Sequence, residues 1–158
     1  MAPSSETNGT SLTIPLWIDG KEETTSSSFD VINPASNEPC WSAASATADD
    51  ALRAVESASK AFASWSKSKP AQRMSILLKT AEILESNSAE YASYMATEMG
   101  AETPVAQFFV LPLAVGMLRD IAGRIVSICG SVPQCQQEGQ SGMVFKEPYG
   151  VTLGIVPW

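Results

Sequence analysis

Near the C-terminus, Val151-Thr152-Leu153-Gly154-Ile155-Val156 forms an almost unbroken apolar run. Runs of this kind belong to strands buried on both faces of a sheet. Such a strand needs neighbours to pair its backbone N–H and C=O groups, and layers above and below it. A parallel neighbour also needs a crossover, usually a helix, before the next strand. Only Pro157-Trp158 follow. The expectation is therefore an α/β fold of which this chain is the front part, with its parallel sheet barely begun.

Periodicity upstream supplies helices for such layers. Thr47-Ala48-Asp49-Asp50 reads as a reciprocal helix start, the threonine accepting from the backbone three residues on and Asp50 reaching back. Leu52, Val55, Ser59, Phe62 and Trp65 then recur at three- and four-residue spacing. Pro70 suits a first helical position. After it, Met74, Leu77, Leu78, Ala81, Ile83 and Leu84 form the expected buried face, with Arg73, Lys79, Glu82 and Glu85 mostly outward. Asn87-Ser88-Ala89-Glu90 starts a third helix, which Gly100 ends in a left-handed cap. Thr103-Pro104 opens a fourth, running to about Val126, whose all-round apolar middle predicts burial on several sides. About four helices are thus expected.

The first 45 residues read differently. Leu16-Trp17-Ile18 enters an Asp19-Gly20 turn, a strong hairpin signal. Phe29 to Ile32 is a strand stopped by Asn33-Pro34, and Pro39 to Ser42 a third. Together they predict a small antiparallel piece. Past Cys129, a polar stretch from Gln134 to Ser141 separates two short segments, the second being the strand-like Met143 to Lys146.

Composition removes whole classes of chemistry. The 158 residues include no histidine, so Ser-His and Cys-His nucleophile pairs and His-metal sites are excluded. Cys40, Cys129 and Cys135 cannot all pair within one chain and show no CxxC spacing. They suit a reducing compartment and read as inert thiols, with Cys135 the readiest to oxidise. Ten basic and seventeen acidic residues give a net charge of −7, which disfavours nucleic acid and anionic membranes as partners. Residues 1–11 are polar and carry no base, so no targeting signal is seen and the cytosol is expected. The longest apolar run, Phe108 to Leu118, is shorter than the ~20 residues of a membrane span. Asp49-Asp50 is explained by capping, and Glu22-Glu23 by a solvated loop. Trp17, Trp41 and Trp65 read as packing anchors. Gly150 to Gly154 lacks both common phosphate-loop patterns.

Several segments, in order and spacing, resemble the N-terminal part of the aldehyde dehydrogenase superfamily. They are Trp17-Ile18-Asp19-Gly20-Lys21, Phe29-Asp30-Val31-Ile32-Asn33-Pro34, Ala46 to Ala51 and Ala61-Phe62-Ala63-Ser64-Trp65. Arg73, Leu84-Glu85 and Glu98-Met99-Gly100 follow. Lys146-Glu147-Pro148-Tyr149-Gly150-Val151 and Gly154-Ile155-Val156-Pro157-Trp158 complete the pattern. The stretches 65–70, 119–124 and 146–151 look most like salicylaldehyde and vanillin dehydrogenase-like members.

The resemblance implies a division of the chain. Residues 1–13 are a disordered tail, and 14–128 the front of a cofactor-binding domain. Residues 129–148 are a β segment of the oligomerisation arm, and 149–158 the first strand of a Rossmann-like dinucleotide-binding sheet. It also implies oxidation of an aldehyde to a carboxylic acid with NAD or NADP. A cysteine thiolate attacks the carbonyl, a glutamate activates water, and an asparagine with a backbone N–H holds the oxyanion. Ile155, Val156, Pro157 and Trp158 match positions lying against the cofactor. No residue here matches the catalytic cysteine, glutamate or asparagine, so catalytic residues are expected to be none and metal ligands none. The chain alone is expected to be inactive and to bind cofactor poorly. Its expected partners are full-length relatives, in homo- or hetero-oligomers. The alternative is a non-catalytic partner that joins such a relative through its β arm, because an unpaired edge templates pairing.

Overall fold

A computed structural model describes residues 13–156. Most of the tail expected over residues 1–13 lies outside them. Thr13 itself opens β1 (Thr13–Ile14).

The hairpin forms where the turn signal put it. β2 (Leu16–Ile18) and β3 (Lys21–Glu23) pair antiparallel, with Trp17 opposite Glu22. Asp19 and Gly20 both take positive φ, 55° and 71°, as a two-residue turn matched to strand twist requires. β4 (Ser28–Asn33) and β5 (Glu38–Ala44) form a second antiparallel pair. Its turn is tied by the Asn33 carboxamide, whose Oδ1 accepts from Ala35 N at 2.8 Å. The register shifts between Val31 and Ile32, which face Trp41 and Pro39. Cys40 is the extra residue of this bulge, and its thiol donates to the Val31 carbonyl at 3.1 Å. Pro39 thus stands beside a bulge, where a missing N–H is tolerated. The expected all-antiparallel piece needs one correction: β1 runs parallel to β5, giving a sheet ordered β1-β5-β4. A two-residue strand has too little pattern to reveal its direction.

α1 (Ala48–Trp65) begins at the expected reciprocal cap. Thr47 N donates to Asp50 Oδ2 at 2.8 Å, and Asp50 N to Thr47 Oγ1 at 3.2 Å. No α1 residue is buried. Its stripe is thinly covered: Phe62 is half-buried, but Leu52 is 68% exposed. α2 (Pro70–Ser86) and α3 (Ser88–Met99) share Asn87 as their junction. That side chain caps backward rather than forward, donating through Nδ2 to the Ile83 carbonyl at 2.8 Å. Only Ala81 of the predicted α2 face is fully covered. Leu78 and Ile83 are exposed, contrary to expectation, whereas Met74, Leu77 and Leu84 are half-buried. Gly100 adopts φ 69° and closes α3. A Cβ there would also lie 3.1 Å from Pro34 Cγ.

α4 (Thr103–Ser127) is one helical rod with two irregularities. Residues Ala106–Val110 widen into a π-turn, and Ile125–Ser127 tighten into a 3₁₀ turn. The physical reason for the first is Pro112, which has no N–H for an i−4 carbonyl and whose ring clashes with one. Leu111 N donates five residues back, to Ala106 O. By length and composition α4 is apolar enough to cross a membrane, but it packs along α2, where Arg119 clasps Glu85. The expected burial on several sides is not found: Leu111, Val115 and Ala122 are buried, whereas Phe108 is 75% exposed. The core is accordingly small. Ala92, Ala106 and Leu111 form its centre with Tyr91, Met95 and Ala101 against them.

The arm-like segment is a loose hairpin rather than two strands. Ser131 and Val144 exchange both backbone hydrogen bonds, at 3.1 and 2.8 Å, and Gln134 bridges Ser141. A Cβ on Gly130 would lie 2.2 Å from the Val144 carbonyl oxygen, so only glycine fits this crossing. Residues 151–156, expected to be a sheet strand, pair with no strand among the described residues. A strand forms only against a partner that takes its backbone groups.

Candidate functional site

The sequence placed its cofactor contacts at the chain's last four residues. Ile155 and Val156 are 88% and 80% exposed. Pro157 and Trp158 lie outside the described residues. Ile155 and Val156 present exposed apolar side chains and supply no polar side-chain group toward a dinucleotide.

A hollow lies at the root of that segment. It is a cleft of about 450 Å³ between the end of α1, the start of α2 and residues 146–150. Phe62 and Trp65 supply its aromatic lining, and Ile128 and Pro148 also line it. The sequence places both aromatics there because they are the last members of the α1 stripe. Arg73 enters from the first turns of α2 and is half-buried. Its Nη1 donates to the Ser68 carbonyl and, at 3.2 Å, to Ser68 Oγ. Arg73 thereby ties down the turn between the two helices, and it was expected to point mostly outward. Lys146 and Glu147 supply the remaining charges.

Other polar groups form ties rather than sites. Arg53 bridges Glu23 of the hairpin and Asp50 of the cap, both at 2.6 Å. The Thr47 backbone N–H first, and the Arg53 guanidinium next, hold the Asp50 carboxyl down at about 2. Arg119 grips both oxygens of Glu85, at 3.2 and 2.7 Å, and holds that carboxyl below its usual range. Trp41 donates from Nε1 to Glu98 at 3.1 Å and meets Tyr94 edge-on. The Tyr94 hydroxyl donates to Glu90 at 2.7 Å, which pushes its own titration upward. Trp41 is thus an anchor, as expected, whereas Trp17 is 67% exposed. Cys40, Cys129 and Cys135 are all free thiols. Among the described residues no cluster of three acids or cysteines is arranged to hold a metal.

Sequence reading missed that Arg73 and Lys146 line one cleft. Their separation in the chain hides it, although the run Lys67-Ser68-Lys69 ahead of Pro70 marks the same corner as basic.

Comparison with known proteins places these observations in a family. The sequence profile of the aldehyde dehydrogenase family matches residues 17–158. A vanillin dehydrogenase of Pseudomonas sp. (strain HR199 / DSM 7063) is 37% identical over 147 residues, covering 92% of this chain and 30% of that protein. A salicylaldehyde dehydrogenase of Pseudomonas putida is 33% identical over 142 residues, covering 90% of this chain and 29% of that protein. Among solved structures, salicylaldehyde dehydrogenase from Pseudomonas putida G7 complexed with salicylaldehyde superposes with a TM-score of 0.80 at 27% identity. That match covers 87% of this chain and 28% of the other. An indole-3-acetaldehyde dehydrogenase mutant from P. syringae in complex with NAD+ gives a TM-score of 0.78 at 31% identity, covering 85% and 28%. The fold described above is therefore that of the N-terminal part of these enzymes. The chain spans about 30% of the length of the curated relatives it matches.

Proposed function

The chain belongs to the aldehyde dehydrogenase family, and on that premise we propose that it forms the front part of a cytosolic oxidoreductase that converts aromatic aldehydes to carboxylic acids with NAD or NADP. The aromatic preference follows the similarity to vanillin and salicylaldehyde dehydrogenases. In this reading residues 14–128 begin the cofactor domain, 129–148 belong to the oligomerisation arm, and 149–158 enter the dinucleotide-binding sheet. The 158 residues by themselves oxidise no aldehyde and bind no dinucleotide tightly. One observation carries this: the segment that would meet the cofactor stands in solvent, with Ile155 88% exposed.

The test is direct. The purified 158-residue chain is mixed with vanillin or salicylaldehyde and NAD+ or NADP+, and nicotinamide reduction is followed by absorbance. No turnover is expected, and titration of either dinucleotide should show no saturation in the micromolar range. Turnover of either aldehyde would overturn the reading. A second reading has its own support. The loose 129–148 hairpin makes only two bridges, so much of its backbone is open to pairing with another chain. Co-expression with a full-length relative tests it. Co-purification that is lost on deleting residues 129–148 favours a partner role, and separate elution of the two chains argues against it.

A further inference from the structure

The basic residues of this acidic chain are unevenly employed. Of its ten lysines and arginines, Arg53, Lys60, Lys79, Arg119 and Arg124 each hold a carboxylate. Among the described residues, Lys21, Lys67, Lys69, Arg73 and Lys146 hold none. Four of these five gather at one corner. Arg73 and Lys146 line the cleft between α1, α2 and residues 146–150. Lys67 and Lys69 belong to the turn that joins the two helices beside it.

The rest of the cleft is equally particular. Phe62 and Trp65 are both in the lining, and aromatic side chains favour a flat aromatic group as neighbour. Arg73 spends Nη1 on Ser68, leaving other guanidinium N–H groups for a carboxylate, whose geometry they match. Glu147 is the one acid in the lining. With Arg73 and Lys146 it sets the lining at a single positive charge, suited to a monoanion rather than a phosphate dianion. The volume, about 450 Å³, is within the ~300–1,000 Å³ usual for small-molecule sites.

We propose that this cleft binds an aromatic monocarboxylate, its ring against Phe62 and Trp65 and its carboxylate between Arg73 and Lys146. Binding here involves no dinucleotide and no turnover, so it stands or falls separately from the aldehyde-oxidising reading.

Benzoate is the probe, titrated into the 158-residue chain at low salt and followed by calorimetry and ligand-observed NMR. Saturable binding is expected with a Kd of about 1 mM or below. Acetate, which lacks the ring, and inorganic phosphate should each bind at least about fivefold more weakly. Arg73→Gln should weaken benzoate by about tenfold, but it also frees the 66–69 turn. Lys146→Gln is the cleaner variant, because its side chain is exposed and holds no carboxylate. It should weaken benzoate by about threefold and flatten the salt dependence, with the thermal melt unchanged. No saturation by about 10 mM benzoate would overturn the proposal. So would equal binding of acetate or phosphate, or full affinity in Lys146→Gln.

Discussion

Thr47 and Asp50 hold the entry to α1 through bonds that run both ways. Because the Asp50 carboxyl titrates at about 2 in the folded chain rather than at its ordinary 3.8, its contribution is whole above the higher value. It is lost as pH falls from there toward 2. Acid titration followed by the Asp50 amide resonance should show this cap opening as the pH approaches 2. Thr47→Ala should cost about 1 kcal/mol, read as a lower midpoint in urea. Gly130 sets a different kind of constraint. Gly130→Ala drives a methyl group into the Val144 carbonyl, so the Ser131–Val144 bridge should open and both amides should exchange faster with solvent. The cap was legible in the sequence because it is local, four residues with fixed chemistry. The Gly130 crossing was not, since it depends on a carbonyl fourteen positions away.

Among the elements, α2 and α4 pack along each other, and Ala81 and Ala122 are fully buried on them. Small residues let helix backbones approach closely. Ala122→Leu should therefore destabilise the chain by about 1–3 kcal/mol through overpacking, measured by urea unfolding. Arg119→Gln removes an exposed pair with Glu85 and should cost under about 1 kcal/mol. Helix starts at Thr47, Pro70 and Thr103 and the Gly100 stop were readable because proline, glycine and capping residues act within one turn. The parallel β1–β5 pairing and the widened turn ahead of Pro112 were not. The first rests on a contact between two distant residues, and the second on how a rod absorbs a missing donor.

At the scale of the whole molecule, apolar periodicity correctly marked faces but not their partners. Leu52, Val55, Phe108, Leu113 and Met117 lie on such faces and are more than half exposed. A stripe in the sequence says that a face wants cover, and only tertiary structure says whether cover is present. The same holds for residues 151–156, apolar enough for a sheet interior and here unpaired. The isolated 158-residue chain should accordingly bind a hydrophobic dye at neutral pH. It should also sediment as a concentration-dependent mixture larger than a monomer. A sharp monomer boundary without dye binding would contradict this. The candidate site was half-legible: Phe62, Trp65 and the basic turn are visible in one stretch, but Lys146 reaches the same corner through the return of the chain.

The widened turn at Ala106–Val110 has a consequence for anyone redesigning α4. One residue more than usual is spent there, so everything before it is rotated by about 100° against the remainder. A single helical wheel drawn through the rod therefore sets Thr103–Val105 out of phase with Leu111–Arg124. Past the turn, Leu113, Met117 and Ile121 are exposed apolar side chains, and polar substitutions meant for solvent should be chosen from them.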